Sequence, residues 1–198
     1  MDHSDHDGMT TGRLEAFSDG VFAIIITITV FELKIPSDTS FAALASLAPF
    51  FIAYLISFQT VGAYWNNHHH LLRTTTHVST GMMWANLNLL FWLSFIPFTT
   101  GWLGANHGGA WPTALYAAVL FASAFSYTIL QYVVILHSEH RNEIFAELNK
   151  SKKGLLSLFC YLLAILSAFI HPVISDIAIG IVALLWFIPD SRIAKFIS

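Results

Sequence analysis

Charge is what this sequence has least of: Asp, Glu, Lys and Arg together make up 11% of its 198 residues, whereas hydrophobic residues make up 56%. A water-soluble domain carries roughly 25% charged residues, so the balance excludes a chain that hydrates its whole surface and assigns it to lipid. The formal net charge of −3 leaves no basic surface for nucleic acid. Cysteine is almost missing too. Cys160 is the one thiol, so an intrachain disulfide is impossible and the redox compartment is not indicated. The start of the chain holds Asp and His where a secretory leader needs basic residues, and a cleaved signal is not expected. Spare length is lacking as well: six spans of about 20 residues use nearly the whole chain, leaving none for a soluble catalytic domain.

What is present is aromatic and apolar. The 17 Phe and 6 Trp suit helix surfaces and the interfacial belts where rings sit between hydrocarbon and headgroups. The expected organisation is a polar tail, residues 1–12, followed by one all-α, polytopic domain of six transmembrane helices, residues 13–198. The apolar run 21–31 is too short to cross a bilayer alone, so the first helix must include the polar turn 13–19, which puts Asp19 near the membrane edge. Further spans are expected at 41–72, where Pro49 begins or kinks the helix, and at 82–103, 111–136, 155–170 and 173–188. Cytoplasmic loops retain Lys and Arg. With the N-terminus inside, Arg13, Arg73, Arg141, Lys150, Lys152, Lys153, Arg192 and Lys195 share the cytoplasmic side and only Lys34 lies opposite. Both termini are therefore expected to be cytoplasmic. The connection 137–154 reads as a short amphipathic helix around Ile144, Phe145 and Leu148. No internal repeat suggests a carrier built from two halves.

Polar groups in a span are costly and usually face protein or water. The first helix has several. At 100° per residue, Ile24, Ile28 and Phe31 fall within roughly 60° of one another with Thr27 on their flank, while Asp19 lies roughly 140° from Ile24. If the stripe lines a pore, Ser18 and Asp19 face neighbouring helices; periodicity taken alone favours ordinary helix packing.

Arg13, Phe17, Ser18 and Asp19 match the R-x-x-x-F-S-D signature of the transmembrane protein 175 potassium channels, and the chain resembles their short prokaryotic members. Similarity continues through Trp65, Asn66, Asn67, His68 and His69 and through residues 86–104. The resemblance implies a homotetramer in a bacterial inner membrane, passing K⁺ along a central path lined by the first helix. It makes Ile24 a hydrophobic constriction, Thr27 a hydroxyl layer linked with selectivity where K⁺ resides transiently, and Ile28 and Phe31 further constrictions. Phe31 departs from the aliphatic residue more usual there. The resemblance also implies that Trp65 and one of His68 or His69 hydrogen-bond the Ser18 and Asp19 region, in a polar network with Arg13 and Phe17. No cofactor and no resident metal are implied.

Other signals compete. Thr60-Val61-Gly62-Ala63-Tyr64 resembles a potassium-filter loop only superficially, since it lacks the second glycine and continues a helical run. His68, His69, His70 and His77 with Asp19 suggest metal ligands, but consecutive histidines on a helix diverge. An intramembrane metal-dependent enzyme using that cluster, or a secondary transporter, stands as the alternative. His3 and His6 are read as part of a polar tail, Glu32 as a residue of the outer mouth or a partner of Lys34, and Asn86 and Asn88 as interhelical hydrogen-bonding groups.

Overall fold

The computed structural model describes residues 10–36 and 38–187. The expectations for residues 1–9, His3 and His6 among them, and for Ile188, Arg192 and Lys195 lie outside the described residues. All regular structure described is helical: α1 Thr11–Phe31, α2 Phe41–Ala45, α3 Ala48–Leu72, α4 Thr80–Leu93, α5 Ile96–Ala105, α6 Ala110–Leu136, α7 Arg141–Lys150, α8 Lys153–Ser167 and α9 Pro172–Phe187.

Local chemistry sets these limits. α1 does include the polar turn before its apolar run. Ser40 and Ser79 cap α2 and α4, their hydroxyls accepting the N–H groups of Ala43 at 3.1 Å and Met82 at 3.2 Å. The second span divides at Ser46 and Leu47, and Pro49 sits in the first turn of α3, where its missing N–H costs nothing. The third divides likewise. α4 stops at Leu93 and α5 restarts with Pro97 in its first turn, because a proline ring collides with the carbonyl four residues back. Gly108, at φ +79°, makes the turn into α6 with a backbone angle that favours glycine.

By length and composition, α1, the α4–α5 pair and α6 are long and apolar enough to cross a membrane, while α8 and α9 are shorter apolar helices. α6 is the hub, packing against α4, α5, α8 and α9 through Tyr116, Leu120 and Leu130, which are at most 1% exposed. α7 joins α6 through the buried Ile144, with Phe145 and Leu148 packed on the core. α1 stands at the edge of the bundle, packed on α3, α4 and α5.

Candidate functional site

One side of α1 is built to be held. Leu14, Ser18, Phe22, Ile25 and Thr29 are its buried residues, and their spacing of three and four keeps them on one face. The Ser18 hydroxyl donates to the Leu14 carbonyl at 2.8 Å and accepts from the Asn86 amide of α4 at 2.9 Å. Asn86 Oδ1 lies 2.7 Å from His68 Nε2 of α3. An amide oxygen only accepts, so His68 carries its proton on Nε2 and every bond in this relay points toward Leu14. His68, Asn86 and Ser18 are fully buried, and the Phe22 ring packs edge-on against the imidazole with centroids 5.4 Å apart.

A second pair of contacts closes the seam. Trp65 Nε1 donates to Asp19 Oδ1 at 2.9 Å, and His69 Nδ1 bonds the Glu15 carboxylate. Glu15 and Asp19 are one turn apart on α1, as are Trp65 and His69 on α3. The pairs match because the two helices run antiparallel. Three polar bridges therefore hold the N-terminal half of α1 at a fixed rotation. The Ser18, Asn86 and His68 relay is buried away from water, which makes it the costly one to leave unmade, while the Trp65–Asp19 and His69–Glu15 contacts lie nearer the surface.

The opposite side is left open. Ile24 is 57% exposed, Ile28 44% and Phe31 82%, with Thr27 exposed between them. The Thr27 hydroxyl donates back to the carbonyls of Ala23 at 2.9 Å and Ile24 at 3.0 Å. Its proton is thereby engaged, and its lone pairs remain to accept from, or ligate, whatever lies outside.

The structure brings Ser18, Asp19, Trp65, His68 and His69 together on one seam. It leaves Arg13 exposed, without a side-chain hydrogen bond or ion pair among the described residues, and Phe17 half exposed. Both named histidines take part, His68 through Asn86 and His69 through Glu15. Glu15 was not anticipated; its signal was its position one turn before Asp19, matching His69 one turn after Trp65. The histidines diverge as expected: His70 stacks obliquely on His69, and His77 pairs through its backbone with Thr10. No three described His, Cys, Asp or Glu side chains are grouped to hold a metal ion. Thr60 to Tyr64 lie inside α3 with no loop at that point.

Residues 13–97 match the family model described as endosomal/lysosomal potassium channel TMEM175, a stretch that contains every partner in the seam. A potassium channel of Chryseobacterium sp. (strain P1-3) is 48% identical over 94% of this chain and 97% of its own length. The mouse endosomal/lysosomal proton channel TMEM175 is 28% identical over 68% of this chain and 30% of its own. The crystal structure of a lysosomal potassium-selective channel TMEM175 homolog from Chamaesiphon minutus superposes with a TM-score of 0.76 at 30% identity, covering 89% of this chain and 95% of that one. With 48% identity over nearly the full length of one relative and this fold shared with another, the chain belongs to the TMEM175 family.

Proposed function

We propose that this protein is a potassium-permeable leak channel in which four identical chains surround a central path lined by α1. The observation that carries the reading is the uncovered stripe of Ile24, Thr27, Ile28 and Phe31, on the face of α1 opposite its polar seam. Rings of Ile24, Ile28 and Phe31 narrow the path. An ion among them loses hydration without gaining ligands, so they act as dewetting constrictions. A ring of Thr27 oxygens offers lone pairs to a partly dehydrated K⁺. Ser18, Asp19, Trp65, His68 and His69 fix the rotation that aims the stripe at the axis, and Arg13 and Phe17 stand outside that seam. The chain crosses a bacterial inner membrane six times, α2–α3 and α4–α5 each counting as one span, with both termini cytoplasmic. That arrangement is supported by the one-sided distribution of Lys and Arg. Family membership identifies a channel and not an enzyme.

Planar-bilayer recording of the purified protein tests this. Discrete current steps are expected, reversing toward the K⁺ equilibrium potential under bi-ionic K⁺ and Na⁺. Saturable exchange without steps sinks the channel, and a reversal that tracks only a pH gradient reassigns it to protons. Thr27→Val is expected to lower the K⁺ to Na⁺ permeability ratio; an unchanged ratio removes Thr27 from selectivity.

A further inference from the structure

A cavity of about 240 Å³ opens among α3, α6, α8 and α9, with no lining residue from α1. It is lined on α8 from Lys153 to Tyr161, a run of about 12 Å at 1.5 Å per residue. Its mouth and its depth differ in chemistry.

At the mouth, the Lys153 ammonium lies 5.8 Å from the centre of the Trp186 ring. Trp186 Nε1 donates to Ser157 Oγ at 2.8 Å, and that hydroxyl donates to the Lys153 carbonyl at 2.8 Å. The aromatic wall and the start of α8 are thus tied together. Lys152 is exposed beside them, and Lys150 pairs with Glu147 at 2.6 Å. In the depth, Tyr161 is 3% exposed and Thr60 7%. Neither hydroxyl has a hydrogen-bond partner among the described residues, though both line the cavity. Ala63, Leu158, Val182 and Ala183 supply apolar wall, and the exposed Leu155 stands at the opening.

Both hydroxyls belong to residues that line the cavity and can donate to an oxygen-bearing occupant. A cation at the mouth, donors inside and apolar walls leading outward match one kind of molecule. We propose that the cavity binds a single anionic phospholipid: its phosphate at Lys153 and Lys152, its ester carbonyls accepting from the hydroxyls of Tyr161 and Thr60, and an acyl chain leaving past Leu155. Its assignment to the cytoplasmic leaflet rests on the orientation proposed above; the binding itself does not. Basic pockets between helices at that level recognise anionic headgroups by charge.

Native mass spectrometry of the full chain in mild detergent, titrated with dioleoylphosphatidylglycerol or dioleoylphosphatidylcholine, tests the site without any current being measured. One phosphatidylglycerol per chain is expected to persist at concentrations where phosphatidylcholine is lost. Lys153→Gln is expected to weaken it about fivefold, the effect of one lysine on an anionic headgroup. Ala183→Phe, which fills the cavity, is expected to abolish it with Lys153 intact. Tyr161→Phe supplies the same test if Ala183→Phe misfolds, and is expected to weaken retention. Equal retention of the two lipids, undiminished binding in Lys153→Gln or in the cavity variant that folds, or displacement by millimolar inorganic phosphate each overturns the proposal. The last result would mark a free-anion site, and a cavity that takes up neither lipid would be one filled by water.

Discussion

The Ser18, Asn86 and His68 relay has a direction, and that direction makes its members unequal. Asn86→Leu takes the acceptor from the buried His68 N–H, while Ser18 keeps its bond to the Leu14 carbonyl. Leaving a buried donor unsatisfied costs about 1 to 3 kcal/mol. Ser18→Ala also leaves a buried donor, the Asn86 amide N–H, without its acceptor, but it breaks one interhelical bond and keeps the one from His68, whereas Asn86→Leu breaks both. Thermal denaturation in detergent is therefore expected to show a larger drop for Asn86→Leu than for Ser18→Ala, at about 2 to 4 °C per kcal/mol for a chain of this size. Equal drops would show that the His68 to Asn86 bond adds nothing to the hold on α1. Much of the seam was legible in the sequence. A serine and an aspartate at the start of an apolar helix need partners, and Asn86 in another span was readable as one of them. Which group meets which was not, because pairing depends on the rotation of three helices that periodicity does not specify. One of His68 or His69 was expected to reach the Ser18 and Asp19 region, and His68 does so through the Asn86 amide side chain.

Among the elements, α5 shows what hydropathy does not reveal. It carries two glycines three residues apart, and each admits a neighbour. A Cβ on Gly104 would lie 2.6 Å from the Phe50 ring of α3, and one on Gly101 would lie 2.4 Å from the Glu32 carboxylate beyond α1. Small residues let membrane helices approach where the hydrophobic effect gives them no drive to do so. The two positions differ in tolerance. The end of Glu32 can swing aside, whereas the base of the buried Phe50 ring, nearest at Cγ, cannot, so Gly104→Val is expected to destabilise by about 1 to 3 kcal/mol through overpacking and Gly101→Ala by less. Phe50→Leu is expected to recover part of the loss in Gly104→Val, measured as a non-additive melting shift; strict additivity would show that the ring is not the obstruction. Apolar runs located the elements to within a few residues, but runs 41–72 and 82–103 each became two helices. Pro49 was weighed as such a break. Pro97 was not, because the residues around it keep the run apolar while its ring still ends α4 at Leu93.

For the whole molecule, burial divides α1 into a face its own chain covers and a face it does not. Ile24, Thr27, Ile28 and Phe31 are open, but so are α8 and α9 residues such as Leu163, Leu166 and Ile177, and lipid covers exposed apolar side chains as readily as another subunit does. Exposure alone does not separate these faces; symmetry does. In a ring of four, each residue of the pore stripe meets its own copies near the axis, whereas residues on the outer helices stay far from theirs. Cys160 is the one native thiol, so a Cys160→Ala background allows a cysteine to be placed at will. Ile28→Cys is expected to form intersubunit disulfides under mild oxidation in membranes, and Leu163→Cys is not. Light scattering of the detergent-purified protein is expected to give the protein mass of four 22.0 kDa chains. A monomeric mass, or equal cross-linking at the two positions, would turn the α1 stripe into a lipid-facing surface and leave the proposed path without walls, since the polar seam behind it would then orient nothing but a peripheral helix.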